Sequence, residues 1–235
     1  MARGSNVVTH GLRGNLGRVT FVDSKRYGPH VRSKRGSIKP APLNDAMEKS
    51  SRAMALASAP AKAIFDAVRS CHKDGELWNK LIVIFRRQLR AGRPFHIDAQ
   101  DFEGMECHEK FTLDQLMRST DYKISAALQE DNLHVDLSLQ EHPDWSYLNW
   151  KDPFQYRLSL VTVFPYLKAG GFEREIMHGP VAEFTAPPEP LSFKVPVPGN
   201  ANGYLLFLLA TVCQRGEVVN QTHVRGMGVV GMGTL

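Results

Sequence analysis

The side chains with the widest chemical reach lie together in Glu106-Cys107-His108-Glu109, with His96 and Asp98 ten residues earlier. A metal ion needs several such ligands converging at fixed distances. Neighbours on an extended chain point to opposite faces, so this run does not converge by itself and reads as a polar loop or edge strand. No metal is expected. Nucleophilic catalysis asks for a Ser or Cys on a constrained turn, partnered by a His. No GxSxG occurs, and Cys107 beside His108 in sequence is no dyad. The acids between Asp144 and Asp152 are of a kind common in loops, and two of them make no glycosidase pair. Gly11-xx-Gly14-xx-Gly17 matches neither the GxxxxGKS/T loop nor a GxGxxG loop between strand and helix. No catalytic residue and no cofactor is expected, and the chain reads as a non-enzymatic protein.

Two groups of side chains suit binding. Trp145, Tyr147 and Trp150 form a dense aromatic set, either a platform for a carbohydrate or peptide or a buried plug at one end of the fold. The other group is basic. Residues 1–40 hold nine Lys and Arg against a single acid, Asp23, for a net charge of +8; the remaining residues hold 20 bases and 23 acids, for −3. Such asymmetry fits a polyanion or an acidic surface on a neighbouring subunit. Arg18, Arg26, Arg32, Lys34 and Arg35 would make the polar contacts, with Phe21 and Tyr27 as anchors. Aromatics among cations also suit single-stranded nucleic acid, which is the alternative partner.

The elements that must carry these residues follow from periodicity. In the arm, Arg18–Val22 is rich in strand-forming residues, Lys25–Pro29 marks a turn, and His30–Ser33 returns as a second strand. Glycines at every third position, Gly11 to Gly17, suit close packing against another chain. Residues 42–91 are helical: one helix after Pro42, a break at Ser58-Ala59-Pro60 with a second helix beyond it, and a third over Gly75–Arg90. Leu77, Trp78, Leu81, Ile82, Ile84, Phe85 and Leu89 give the third a broad apolar stripe. Thr112–Arg118 is one short helical turn or two.

From residue 95 the period becomes 2. Residues 123–128 and 133–139 alternate around Glu130-Asp131-Asn132, a hairpin with one buried face. Tyr156–Val163, Leu191–Val197, Tyr204–Cys213 and Val218–Val224 are further strands, and the glycine-spaced tail Gly226–Gly233 is a last strand or a docking segment. Tyr204–Cys213 is apolar almost throughout, as a strand covered on both faces should be. The expected fold is α+β: a basic hairpin arm over residues 1–40, a helical segment over 41–94, and an antiparallel β-sandwich over 95–235. An immunoglobulin-like arrangement is one topology open to it, although the Cys…Trp…Cys spacing is absent.

Three cysteines without CxxC spacing suit a reducing compartment, so a cytoplasmic protein, or a particle assembled there, is expected. Met1–Asn6 has no apolar signal core, and the longest apolar run, Leu205–Val212 interrupted by Thr211, is far short of the roughly 20 residues of a membrane span.

Gly14-Asn15-Leu16-Gly17-Arg18-Val19-Thr20-Phe21, then Val31-Arg32-Ser33-Lys34 and the helix after Pro42, resemble the opening of an uncharacterised protein family of Bacteroidota. Tyr204–Leu208, a glycine turn and a final strand are similar to that family's β-rich part. The resemblance covers most of the chain by layout and implies no catalytic residues. The leading expectation is a structural, assembly-forming subunit of a virion, phage-derived or comparable particle or filament. It would contact itself or other structural subunits through the arm. A nucleic-acid-binding protein and a carbohydrate- or peptide-binding sandwich are the alternatives.

Overall fold

The computed structural model describes residues 13–17, 19–24, 28–33, 44–72, 75–145, 155–219, 221 and 224–235. It divides into two compact units, Met1–Lys49 and Ser50–Leu235. The first contains a small antiparallel sheet in the order β1 (Gly14–Leu16), β2 (Val19–Ser24), β3 (Gly28–Ser33). The two expected arm strands are thus present, with a third preceding them.

Helix α1 runs from Asp45 to Val68 without interruption. The expected break at Ser58-Ala59-Pro60 does not occur. A proline inside a helix removes one backbone bond and costs about 3 kcal/mol or more in isolation. Here Ala57, Pro60, Ala61 and Ile64 are all buried, and packing that face offsets the lost bond. Ser58 donates its hydroxyl to the Met54 carbonyl one turn back (2.7 Å). Helix α2 spans Gly75–Arg90 with its apolar stripe turned inward. Two single-turn helices follow, α3 (Ala99–Phe102) and α4 (Leu113–Leu116).

Among the described residues eight strands then form two sheets. β4 (Tyr122–Gln129), β5 (Asn132–Leu139) and β8 (Leu191–Pro196) make one, in the order β4-β5-β8. In the other, β9 (Gly203–Gln214) is central. It pairs with β6 (Gln155–Tyr166) on one side, and on the other with both β10 (Glu217–Val218) and β11 (Arg225–Thr234); β7 (Gly171–Ala182) lies outside β6. Of the strand expected over Val218–Val224, Val218 lies in the two-residue β10, Val219, Gln221 and Val224 are not in a strand, and residues 220, 222 and 223 lie outside the described residues; β11 begins at Arg225.

The layers follow from the alternation of β9 and β6. Val161, Val163, Leu205, Phe207 and Leu209 pack against α1 and α2. Leu158, Leu160, Leu206, Leu208 and Ala210 face the smaller sheet, meeting Leu133, Val135, Leu137, Phe193 and Val195. The order is therefore helices, five-stranded sheet, three-stranded sheet. A strand apolar on both faces needs cover on both, and the helices supply one side. The helical segment and the β-rich segment consequently share one core, within the unit that begins at Ser50.

The glycine-spaced tail is a paired strand. A Cβ on Gly226 would lie 2.5 Å from the Thr112 carbonyl oxygen and 2.9 Å from the Leu113 Cα, so only glycine lets the segment leading into α4 approach this closely. That segment continues the sheet for a few residues. Cys107 N–H donates to the Met227 carbonyl (2.8 Å) and Val229 N–H to the Met105 carbonyl (2.9 Å). No helix among the described residues is long and apolar enough to cross a membrane.

Candidate interaction surface

The arm sheet is two-faced, and its register says how. Gly14, Phe21 and Val31 lie in one cross-strand row; Leu16, Val19 and Ser33 lie in another, two residues along. Because side chains two apart share a face, Leu16, Val19, Phe21 and Val31 form an apolar surface, which Ser33 borders at one end and Asp23 with Pro29 at the other. The row between them, Asn15, Thr20 and Arg32, points the other way, as do Val22 and His30. Thr20 donates to the Asn15 side chain (2.6 Å) across this polar face. Gly17, in the left-handed region at φ 58°, begins the turn from β1 to β2.

None of the described residues of this sheet is buried. Leu16 is 68% exposed and Val31 45%. The arm's one acid, Asp23, is bound by Arg13 at 2.8 Å, so its charge is matched locally. Of the residues expected to make contacts, Phe21 lies on the apolar face and Arg32 on the polar face. Arg18, Arg26, Tyr27, Lys34 and Arg35 lie outside the described residues. Leu16, Val19 and Val31 were not singled out from sequence. The alternation of Val19 and Phe21 signals a face, but assigning Leu16 and Val31 to it takes the cross-strand register.

The aromatic group divides. Tyr147 and Trp150 lie outside the described residues. Trp145 is 1% exposed and donates its indole N–H to the Leu116 carbonyl. Its ring meets Tyr156 edge-on at 5.6 Å, and Tyr156 meets Phe184 at 5.3 Å. Trp145 is the plug of the two roles weighed for it, with no face left for a ligand to stack on. His142 joins this cluster. Its Nε2 contacts the Ala186 carbonyl, which can only accept, so Nε2 donates there, and Nδ1 lies 2.8 Å from the Tyr156 hydroxyl. A cleft of about 320 Å³ opens beside the pair, edged by Pro180, Glu183, Pro187 and Glu189.

Burial pushes the Tyr156 hydroxyl up to about 12. An unfolded tyrosine ionises near 10. The folded state therefore holds the proton more tightly, and this contribution to stability is complete below about pH 10 and lost as pH rises toward 12. Burial also raises Tyr122, Tyr166 and Tyr204, so an absorbance titration of tyrosinate should show several late-ionising groups, of which Tyr156→Phe removes the one near 12.

The chemically versatile run at residue 106 is occupied by backbone. The Glu106 carboxylate accepts from Leu113 N–H (2.7 Å) and Asp114 N–H (3.0 Å), at the start of α4. Burial raises its pKa, and those two donors partly oppose the rise. Cys107 is buried, and His108 Nδ1 accepts from Lys110 and Phe111 N–H. His96 Nε2 meets Asp98 at 2.7 Å while its Nδ1 lies 2.8 Å from the Pro94 carbonyl. A Ser–His contact that sequence reasoning missed joins Ser159 Oγ to His178 Nδ1 at 2.8 Å across β6 and β7. Ser159 lies mid-strand and is 2% exposed, so this hydroxyl is a satisfied core group rather than one presented on a turn.

The chain matches no protein-family model, no curated protein and no solved structure. The surfaces themselves therefore carry the functional argument. Of those described, the apolar face of the arm sheet departs furthest from what a self-contained domain needs.

Proposed function

We propose that this protein is a structural subunit that assembles through its N-terminal arm. The observation that carries this is the apolar face of Leu16, Val19, Phe21 and Val31, of which Leu16 and Val31 are exposed and none is buried among the described residues. A short antiparallel sheet gains its stability by burying one face, and one with both faces wet is marginal. A neighbouring subunit would cover that face, and the arm's net charge of +8 would complement bodies whose own net charge is −3.

Deleting residues 1–36 is expected to leave a folded chain by circular dichroism and to abolish large species in light scattering. In the full-length chain, Phe21→Asp is expected to do the same, because a charge in the middle of the apolar face cannot be buried unpaired. Large particles persisting in both variants would overturn the reading. Nucleic-acid binding through the arm predicts a different result: a shift of labelled DNA or RNA that weakens steeply with salt, and a high A260/A280 ratio in the purified material.

A further inference from the structure

Among the described residues the three-stranded sheet ends in a strand with an open edge, and its sequence fits a second copy of itself. β4 is the outermost strand of that sheet, and no described strand pairs with its outer side. Its last five residues, Ser125–Gln129, are exposed. Open edges are normally protected by charge, proline or a covering segment. β7 carries Glu173, Arg174, Glu175 and Pro180; β8 carries Lys194 and Pro196; β11 is covered in part by Met105–Cys107. β4 has a single charge, Lys123, near one end, and then Ile-Ser-Ala-Ala-Leu.

The backbone fixes which groups are on offer. Gln140 N–H donates to the Asp121 carbonyl and Val197 N–H to the Asp131 carbonyl. In β5, then, even-numbered residues bond toward β4 and odd-numbered ones toward β8. By the observed register, odd-numbered residues of β4 face β5, which leaves the N–H and C=O of Ile124, Ala126 and Leu128 pointing outward. Antiparallel strands bond through pairs of such residues. With a two-fold axis at Ala126, Ala126 meets Ala126 of the second copy and Ile124 meets Leu128 on the same face. Ser125 then meets Ala127, and Lys123 meets Gln129. No like charges are opposed, and Leu128, 52% exposed in the single chain, gains an isoleucine beside it.

We infer that β4 pairs antiparallel with β4 of a second copy about a two-fold axis at Ala126, joining two three-stranded sheets into one of six strands. This contact is independent of the arm. An isologous edge contact combined with an arm contact links more than two copies, which a single isologous interface cannot do.

The test uses the full chain. A hydrogen-bonded antiparallel pair places its Cα atoms about 5.5 Å apart, within the range of a disulfide. Under mild oxidation Ala126→Cys is expected to give at least about ten times more covalent dimer than Lys123→Cys, whose two copies would sit about 20 Å apart at roughly 3.3 Å per residue. The native Cys107 and Cys213 are buried and Cys71 is half-buried, so the unmodified protein supplies the background. The dimer is expected to persist when Phe21→Asp is added. Ala126→Lys and Ala126→Glu each place like charges opposite one another at an exposed position, so each alone should lower the sedimenting mass, and mixing them should restore it. Any of three results overturns the inference: no excess dimer over Lys123→Cys, loss of the dimer with Phe21→Asp, or an unchanged mass for Ala126→Lys in a chain that circular dichroism shows to be folded. A β4 edge that instead takes a strand from a different protein gives the first of these.

Discussion

Replacing Phe207 by alanine is expected to lower the unfolding free energy by about 3–5 kcal/mol, the range for removing a fully buried aromatic ring. Phe207 sits in the middle of β9, the central strand of the five-stranded sheet, and is wholly buried on the face that meets the helices. Its neighbours across the strand pairs are Val161 and Val229, both buried, so collapse into the gap would have to move three paired strands together. A cavity that cannot collapse lies at the costly end of the range. The measurement is a urea or guanidinium transition, in which the midpoint should fall. Val83→Ala on the exposed side of α2 should leave it within about 0.5 kcal/mol of the unmodified protein. An equal loss at both positions would mean that the helices do not cover this sheet.

Trp145→Ala should be comparably severe, at about 3–5 kcal/mol for the lost ring. A further contribution of about 1–3 kcal/mol arises if the Leu116 carbonyl, which accepts the indole N–H, is left without a donor. Trp145→Phe keeps most of the packing against Tyr156 and Phe184 and loses only the N–H, so it should fall well short of the alanine variant. The two variants separate a plug from a platform. A binding platform would lose ligand with little change in stability; a plug loses stability and leaves a glycan or peptide binding profile as it was. The same cluster holds His142 and Tyr156, so loosening it should also return the Tyr156 hydroxyl toward its ordinary pKa. Unfolding curves and the tyrosinate titration then read one event in two ways.

The elements legible from sequence are those with uninterrupted period. α2 occupies Gly75–Arg90, as its apolar stripe and flanking glycines and proline imply. The β4–β5 hairpin turns where the acids at Glu130 and Asp131 interrupt the alternation. β9 is apolar on both faces and is buried on both. β7 was not legible. Its Phe172-Glu173-Arg174-Glu175-Ile176 carries charge on both faces, and it forms a strand because β6 offers a full-length edge to pair with. The continuity of α1 through Pro60 was not legible either, since a local penalty was outweighed by a buried face.

The interaction surface was legible in part. Charge counting located the arm, and strand propensity placed its hairpin. The face it presents needed the pairing of Phe21 with Val31 and of Leu16 with Val19. The place of β4 at the edge of the described strands had no signal in sequence at all, because an edge is defined by which strands pair in space.

By itself the sequence determined the α+β class, the charge division between arm and body, and most strand and helix positions, since each depends on composition or on side-chain period along the chain. Only the tertiary structure decided that helices and a second sheet cover opposite faces of β9, that Trp145 points inward, and that Gly226 and Gly228 let the segment at residues 105–113 close on β11. The physical reason is that period records which side chains must leave water, while the partners they leave it against are set by contacts between residues far apart in the chain.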